Sequence, residues 1–333
     1  MIRVLLTHPT SSFERYFGPA AFAALSKFAY VERHNSEQPL TTPALIERAQ
    51  GFQVILSERA TAAPPALFAE LPDLCAFVRC AVDIRTVDVE AASRHGVLVT
   101  HASAGFISAV TEWTLGAMID LARGISRSSE IYHRGATPAA EMGLQLNGAT
   151  LGIIGLGAIG SRLANLAVQL GMTVLAHDPY ATTDHDGVER VEFSTVLTQA
   201  DIVVCLAIAN EKTENMFDAR AFSQMKSGAY FINPSRGNLV DETALANALA
   251  QGRLAGAALD VGRAGDQMPT PALAAMDSVL ATPHVGGLTP PAVAHQAFET
   301  VRQIEALAAG KIPEGAVNTA FATRLASVSK NNR

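Results

Sequence analysis

A glycine-rich segment in the middle of the chain constrains the fold more than any other feature. The segment 155–160, Gly-Leu-Gly-Ala-Ile-Gly, follows an apolar predicted strand at 150–154. It opens a segment, 159–170, whose apolar residues recur on one helical face. In this context the first glycine permits a tight turn, the second lets the backbone approach a pyrophosphate, and the third lets the helix pack on the strand. The segment therefore predicts the strand–turn–helix unit of a dinucleotide-binding domain.

An acidic residue follows at the spacing that this motif requires. The next predicted strand, 173–177, ends directly before Asp178, 18 residues after the last glycine. A carboxylate there accepts hydrogen bonds from ribose hydroxyls and disfavours a 2′-phosphate. The sequence therefore favours NAD over NADP, although Arg190 and His177 could weaken this preference. The structural alternative is an acid that only caps the turn before Pro179.

Short apolar runs alternate with helical patterns along the 333 residues, which is typical of βαβ units and parallel sheets. A chain of this length exceeds one compact core, so we expect two domains. One sheet is expected before a helical segment at 108–134 and a second sheet after it, with a last helix at 291–309 and a disordered tail at 327–333. The candidate strands are 3–7, 54–56, 76–79, 98–100, 150–154, 173–177, 202–206, 230–233, 256–261 and 279–281.

Composition argues against several classes of protein. The net charge of −6 disfavours nucleic-acid binding, which needs a basic face. No apolar run reaches the roughly 18 residues of a membrane span, and the first strand lacks the features of a signal peptide. Cys75, Cys80 and Cys205 have no metal-ligand spacing, so we expect reduced thiols and no metal. These features predict a cytoplasmic enzyme or binding protein.

Four ordered motifs carry a resemblance to a known family. They are the glycine segment 155–160, Asn-Pro-Ser-Arg-Gly at 233–237, Ala-Ala-Leu-Asp-Val at 257–261 and Thr-Pro-His-Val-Gly-Gly at 282–287. In this order they resemble the D-isomer-specific 2-hydroxyacid dehydrogenases, the family of D-3-phosphoglycerate dehydrogenase and glyoxylate/hydroxypyruvate reductase. The similarity extends over roughly residues 77–307.

The resemblance implies an α/β fold with two Rossmann-like, doubly wound parallel-sheet domains. The NAD-binding domain, 101–285, would be inserted into a discontinuous substrate domain, 1–100 plus 286–333, with the active site in the cleft between them. The resemblance also implies a homodimer formed through the helical region 108–134. The expected ligands are NAD and a small 2-oxo or 2-hydroxy acid.

Two side chains would carry the chemistry. Arg236 follows an apolar predicted strand, and a planar guanidinium binds a carboxylate bidentately. By family position it is the substrate arginine; the alternative is a surface arginine paired with Asp241 or Glu242. His284 can donate and recover a proton near neutral pH. Its place in the family motif predicts a catalytic role, whereas a lone histidine would more often be structural.

The resemblance also assigns the cofactor contacts, which lie in the four motifs and in short segments near them. Asp260 would face the nicotinamide amide. The predicted cofactor-binding residues are Gly155, Gly157, Ala158, Ile159, Gly160, Asp178, Ala207, Asn210, Thr213, Pro234, Ser235, Arg236, Asp260, His284, Gly286 and Thr111.

The sequence departs from the family at the third catalytic residue. The family usually has a glutamate five residues beyond the Asp260 position, where it pairs with the histidine and raises the pKa of the imidazole. The equivalent residue here is Gly265, and the next residue, Asp266, is our candidate replacement. Otherwise the pKa of His284 should be lower, and reduction should weaken as pH rises through neutrality.

A second departure concerns the substrate. The family's glycine-rich loop, which offers backbone N–H groups to the substrate carboxylate, reads Ala81-Val82-Asp83 here. Without the glycines, the loop has fewer accessible backbone conformations in which its N–H groups can point toward a substrate. We predict that these three residues bind substrate together with Arg236. Asp83 either faces solvent or, if it points inward, disfavours phosphorylated and dicarboxylic substrates and favours a hydroxyl-bearing or amine-bearing one. Glyoxylate and hydroxypyruvate are the expected examples of the small oxo acid.

Three functions follow from these residues. Arg236 and His284 favour an NAD-dependent dehydrogenase of a small D-2-hydroxy acid. The missing glutamate motivates a catalytically weak NAD(H)-sensing binding protein of the same fold. A same-fold dehydrogenase of a non-hydroxyacid substrate is the third hypothesis.

Overall fold

The computed structural model describes residues 1–326, apart from the side chain of Asp266. The predicted disordered tail, 327–333, lies outside the described residues. The chain divides into two compact units: unit 1 contains Met1–Phe106 and the chain from Pro290 onward, and unit 2 contains Ile107–Thr289. The predicted domain boundaries, at 100/101 and 285/286, lie close to the limits of these compact units. The assignment of a substrate-binding and an NAD-binding function to the two domains remains a proposal.

Strands and helices are numbered in chain order. The strands are β1 Ile2–Leu6, β2 Ala29–Arg33, β3 Val54–Ser57, β4 Ala76–Arg79, β5 Leu98–His101, β6 Thr150–Ile154, β7 Thr173–His177, β8 Val188–Arg190, β9 Ile202–Cys205, β10 Ala229–Asn233, β11 Leu254–Leu259 and β12 Val279–Ala281. The helices are α1 Thr10–Tyr16, α2 Gly18–Leu25, α3 Thr42–Arg48, α4 Pro65–Glu70, α5 Val89–Arg94, α6 Ile107–Arg123, α7 Ile125–His133, α8 Ala158–Gln169, α9 Phe193–Gln199, α10 Ala219–Gln224, α11 Glu242–Ala250, α12 Pro271–Ala274 and α13 Pro290–Ala308.

Unit 1 is a parallel sheet in the order β2-β1-β3-β4-β5 with helices on both faces. Its inner strands β3 and β4 are buried along their whole length, as parallel strands covered on both faces require. The last helix, α13, packs against α1 and α2 through Val301 and Ile304. After α13 the chain returns to β5, where Val99 N donates to Asn318 Oδ1 at 2.8 Å. The C-terminal helix therefore belongs to the first sheet.

Unit 2 is a second parallel sheet, in the order β12-β11-β10-β9-β6-β7-β8. The strand order reverses between β6 and β9, which are neighbours in the sheet. In such sheets ligands bind beyond the carboxyl ends of the strands at this reversal. Because all of these strands are parallel, the loops that follow them lie at one edge, which we call the carboxyl edge of unit 2.

The predicted fold class, two doubly wound parallel-sheet units, is confirmed. The strands β2 and β8 were not predicted, and the helical region 108–134 is two helices, α6 and α7, rather than one. They are separated by Gly124, whose φ of +60° is a left-handed conformation that interrupts a helix. Among residues 1–326 no helix is both long enough and apolar enough to cross a membrane.

A polar cluster lies inside unit 1 beyond the ends of β1, β3 and β4. The side chain of His8 is fully buried, and within the described residues neither of its ring nitrogens has a hydrogen-bond partner. Arg79, also buried, donates to the carbonyl oxygen of Glu58 and, at 2.8 Å, to that of Thr61. Burial, with smaller contributions from Arg79 and Arg33, lowers the pKa of His8 to about 3. The imidazole is therefore neutral in the folded protein at neutral pH.

This burial predicts a loss of stability in acid. In the unfolded chain His8 has the ordinary histidine pKa of 6.5, whereas in the folded protein its pKa is about 3. Between these two pH values the unfolded chain binds a proton that the folded protein does not bind. Between about pH 7 and pH 5 this difference should remove about 2 kcal/mol from the free energy of unfolding. Burial raises the pKa of Glu58, which opposes part of the loss, so the wild type must be compared with a variant.

Urea unfolding of the wild type and of His8→Leu at both pH values checks this expectation. The wild type should lose about 2 kcal/mol more than the variant on acidification. A constant difference between the two proteins at both pH values would report packing alone and would contradict the assignment to His8.

Candidate active site

The glycine turn after β6 has the geometry that binding a pyrophosphate requires. Gly155 has a φ of +101°, and a Cβ there would lie 2.5 Å from the carbonyl oxygen of Leu206. A Cβ at Gly160 would lie 2.2 Å from the carbonyl oxygen of Gly155. At Gly157 a Cβ would meet open space, so the N-terminus of α8 is accessible to a ligand. The free N–H groups of that helix end favour a negatively charged group.

A cavity of about 370 Å³ lies beside this turn. It brings together the predicted residues Gly157, Ala158 and Asp178. It also contains Ser161, which sits one helical turn after Gly157, so helical spacing could have identified it. The cavity is lined by Leu156, Gly157, Ala158, Ser161, Asp178, Tyr180, Ala181, Thr182, Thr183 and His185.

Asp178 is fixed at the rim of the cavity by backbone hydrogen bonds. Its Oδ2 accepts from Leu156 N at 2.7 Å and its Oδ1 accepts from Tyr180 N at 2.9 Å. A carboxylate oxygen can accept a second hydrogen bond, so both oxygens remain able to bind ribose hydroxyls. Asp178 thus shapes the turn, as the structural alternative predicted, and also faces the cavity.

The two side chains that could weaken the preference for NAD interact with neighbouring groups. His177 Nδ1 lies 3.0 Å from the carbonyl oxygen of Val191. Arg190 donates to the carbonyl oxygen of Ala181 and lies 3.6 Å from Asp184. The residues of the cavity therefore fit NAD.

Replacing Asp178 by Asn should weaken NADH binding about tenfold and reduce the preference for NADH over NADPH, because a charged hydrogen-bond acceptor is worth about 1.5–3 kcal/mol. Asp184→Asn is the matched control, since it removes an exposed carboxylate of the same loop that does not line the cavity. Titration of NADH and NADPH fluorescence measures both affinities. Equal losses in the two variants would show that only the general charge of the loop matters.

Arg236 lies in the loop after β10 and is half-buried. Its Nη1 donates to the carbonyl oxygen of Ser235 at 2.7 Å, and its own carbonyl oxygen accepts from Asn233 Nδ2 at 2.9 Å. The proposed surface partners have contacts of their own: Asp241 caps α11, and Glu242 Oε1 accepts from a backbone N–H at 2.9 Å. Asn233, which was not singled out from sequence, braces this loop.

His284 lies in the loop after β12, and a buried carboxylate holds that loop. Asp260 Oδ1 accepts from Thr282 Oγ1 at 2.6 Å and from Val285 N at 2.8 Å, and its Oδ2 accepts from Gly286 N at 2.8 Å. Asp260 therefore fixes the backbone on both sides of His284, a role that the sequence did not indicate. Its predicted place beside the nicotinamide stays a prediction.

The other predicted cofactor residues of unit 2 also lie in loops at its carboxyl edge or in helices beside it. Thr213 Oγ1 accepts from Asn210 N at 2.9 Å and donates to the carbonyl oxygen of Ile208, so both residues shape the loop after β9. Ser235 Oγ joins this loop to the next by donating to the carbonyl oxygen of Ala207 at 2.8 Å. The roles of Ile159, Pro234 and Thr111, whose hydroxyl donates to the carbonyl oxygen of Ile107 at 2.8 Å, remain predictions.

The predicted substrate loop, 81–83, follows β4 in unit 1. The Asp83 carboxylate accepts from Arg85 Nε at 3.0 Å and from Arg85 Nη2 at 2.6 Å. The charge of Asp83 is therefore balanced by a neighbour, which weakens the case for repulsion of anionic substrates. Asp266 lies in the 3-10 turn Gly265–Gln267, and its side chain is outside the described part of the structure.

The cysteines of the described residues are not suited to nucleophilic chemistry. The three cysteines are buried, and burial raises the pKa of Cys80 and of Cys205 to about 12. These two thiols are therefore protonated at neutral pH and are poor nucleophiles. Leaving aside Asp266, whose side chain is not described, no three side chains of His, Cys, Asp or Glu among residues 1–326 are grouped to hold a metal ion.

Comparison with known proteins identifies the family. Residues 115–286 match the model of the D-isomer specific 2-hydroxyacid dehydrogenase, NAD binding domain. An (S)-sulfolactate dehydrogenase of Chromohalobacter salexigens is 36% identical over 74% of this chain and 81% of its own length. A glyoxylate reductase of Aeropyrum pernix is 28% identical over 90% of this chain and 93% of its own. This chain spans 39–60% of the length of the D-3-phosphoglycerate dehydrogenases that it matches.

A solved structure has the same fold. The TT0316 protein of Thermus thermophilus is 28% identical and superposes with a TM-score of 0.85, over 95% of this chain and 100% of that one. The matched model is an NAD-binding domain, and the glycine turn and the carboxylate of Asp178 fit that cofactor. The chain belongs to the D-isomer specific 2-hydroxyacid dehydrogenases, and its cofactor is NAD.

Proposed function

We propose that this protein interconverts a small D-2-hydroxy acid and the matching 2-oxo acid with NAD as the hydride carrier. The observation that supports it is the shared location of three loops. The glycine turn, the Arg236 loop and the His284 loop follow β6, β10 and β12, whose carboxyl ends form one edge of the sheet. A cofactor site, a carboxylate-binding cation and a proton donor are the groups that this reaction needs.

The proposed role of each residue in the reaction follows from the chemistry of its side chain. NADH, when bound, supplies the hydride. Arg236 binds the substrate carboxylate and polarises the ketone, and its planar guanidinium suits a bidentate contact. His284 donates a proton to the oxygen as the alcohol forms and recovers it in the reverse direction. Asp260 keeps the loop of His284 in place.

Asp266 is our candidate for the carboxylate that assists His284, on the basis of its position next to Gly265. A carboxylate near the imidazole would stabilise the imidazolium and extend proton donation to higher pH. An Asp266→Asn variant in which turnover keeps the wild-type pH dependence would rule out this role.

We propose a glyoxylate-like or hydroxypyruvate-like substrate. The support is the similarity to a glyoxylate reductase. The Asp83–Arg85 ion pair adds no net charge to the predicted substrate loop that would attract a second acidic group. A homodimer and a cytoplasmic location are part of the same proposal. Exposed apolar side chains on α6 and α7, among them Ile125 and Tyr132, support the dimer. The buried Cys80 and Cys205, which are in no disulfide among the described residues, suit a reducing compartment.

The decisive experiment follows NADH absorbance with glyoxylate, hydroxypyruvate, pyruvate, phenylpyruvate, 2-oxoglutarate, phosphohydroxypyruvate and sulfopyruvate, with NADPH in parallel. Fast oxidation with glyoxylate or hydroxypyruvate supports the proposal, and a preference for sulfopyruvate or phosphohydroxypyruvate would overturn its substrate part. Tight NADH binding without turnover would favour a sensor. NAD reduction driven by formate or phosphite would favour a different substrate class.

A further inference from the structure

One guanidinium connects the loops that follow β9, β10 and β11 in unit 2. Arg263 Nη2 donates to Glu214 Oε1 at 2.9 Å and to Asn215 Oδ1 at 2.5 Å, both in the loop after β9. The guanidinium also donates to two carbonyl oxygens of the loop after β10, that of Asn238 at 3.1 Å and, from Nε, that of Val240 at 3.2 Å. Arg263 itself follows β11. Its side chain therefore bridges three loops of the carboxyl edge.

The acceptors of Arg263 are themselves connected to one another. Asn238 Nδ2 donates to Glu214 Oε2 at 2.8 Å, and Asn215 N donates to the carbonyl oxygen of Asn238 at 2.9 Å. The hydrogen bonds from Asn238 and Arg263 lower the pKa of Glu214, so its carboxylate is ionised at neutral pH. The backbone N–H of Arg263 donates to Glu242 Oε1 at 2.9 Å, which fixes the start of its own loop.

Two glycines bring the loops into direct contact beside Arg236. A Cβ on Gly237 would lie 2.2 Å from the backbone carbon and oxygen of Gly262. The residue directly before this contact is Arg236, whose backbone is extended, with φ −146° and ψ 145°. The residue directly after Gly262 is Arg263. The backbone that carries Arg236 is therefore supported by the loop that carries Arg263.

We infer that Arg263 is a positioning residue for Arg236: by holding the 237–240 loop it fixes the direction of the substrate-binding guanidinium. The inference rests on the proposed function. Arg236 reaches its substrate through a long side chain, so a small backbone shift is enlarged at its tip, and a displacement of about 1 Å can cost about a hundredfold in rate.

Arginine suits this bridging role better than lysine. A guanidinium offers five N–H donors in a rigid plane, whereas an ammonium is a compact charge on a flexible stem. Lysine at position 263 could still pair with Glu214 but could not bind the acceptors of the other loop in the same geometry. We therefore expect Arg263→Lys to recover part of the activity that Arg263→Met loses. The size of that recovery measures the ion pair with Glu214, and the remaining loss measures the hydrogen bonds to the loop after β10.

The test compares Arg263→Met, Arg263→Lys and a matched control, Arg253→Met. Arg253 also donates its guanidinium to backbone carbonyl oxygens, those of Ser223 and Met225, but it precedes β11 and so lies at the opposite edge of the sheet. Arg263→Met should lower kcat/KM for the 2-oxo acid by about tenfold to a hundredfold while the KM for NADH stays within about twofold. Arg263→Lys should recover part of the loss, and Arg253→Met should change only thermal stability.

A binding measurement separates this inference from the proposed function. Oxamate, an unreactive analogue of a 2-oxo acid, is titrated into the protein–NADH complex and followed by NADH fluorescence. Weaker oxamate binding by Arg263→Met, with unchanged NADH affinity, supports the positioning role. If the wild type binds oxamate and turns over, and Arg263→Met has the same oxamate affinity and the same kcat/KM, this inference alone is overturned. A wild type that neither binds oxamate nor reduces any oxo acid overturns both.

Discussion

Replacing Arg236 by alanine is expected to abolish turnover of 2-oxo acids while NADH binding remains. The guanidinium is the group that we assign to the substrate carboxylate, and its loss leaves that charge without a partner in the active site. Removing one preorganised donor from such a site typically costs about a hundredfold to a thousandfold in rate, and a bidentate cation should cost at least as much. The glycine turn and Asp178, which we expect to bind NADH, follow other strands and should be unaffected.

Steady-state kinetics and NADH fluorescence titration check this prediction. Arg236→Lys is the informative companion, because it keeps the charge and removes the planar fork. It should recover a small part of kcat/KM and leave the substrate KM high. Turnover of a 2-oxo acid at wild-type rates by Arg236→Ala would show that another cation binds the carboxylate.

The fold could largely be predicted from sequence because its central strands are buried on both faces. Strands such as β3, β4 and β9 are buried along their length and consist mostly of apolar residues, and such runs bounded by turn signals are typical of a parallel sheet. The strands that were missed, β2 and β8, lie at the sheet edges and contain exposed or half-buried polar residues. Their pairing depends on a neighbour strand, which local periodicity does not reveal.

The candidate site likewise contains residues that could be predicted from the sequence and residues that could not. The glycine turn and Asp178 could be predicted because the backbone itself requires glycine at two positions and an acid follows at a fixed distance. The anchoring role of Asp260 and the bridge made by Arg263 could not be predicted. Each depends on hydrogen bonds between loops that follow different strands, and only the order of strands in the sheet brings those loops together.

The family position of the missing glutamate shows where a motif stops being informative. By its place in the predicted motif, Gly265 is expected at that position. The loop that contains it is held by other contacts, among them Gly262 against Gly237 and the N–H of Arg263 on Glu242. A motif names the residue that is absent but not the contacts that keep the loop in place. These contacts connect the loop to the backbone beside Arg236.

Replacing His284 by asparagine should lower kcat by about a hundredfold to ten-thousandfold, because a positioned general acid contributes this much to proton transfer. Asparagine is the suitable variant for a structural reason. His284 has a φ of +55°, a left-handed conformation that asparagine adopts more readily than most residues, so the loop held by Asp260 should keep its shape. Alanine would add backbone strain to the loss of the imidazole and would confuse the two effects.

The pH dependence of the remaining activity decides whether His284 transfers the proton. Histidine is the side chain that ordinarily titrates near neutral pH, so wild-type reduction should decline as pH rises and the imidazolium is lost. His284→Asn should show a slow rate without that decline, with NADH affinity within about twofold of wild type, since a positioned acid acts on the chemical step. His95→Asn, which removes a histidine at the C-terminus of α5, should retain the wild-type profile. If His284→Asn lost rate but kept the decline at high pH, the proton would come from another group and His284 would serve only to position the substrate.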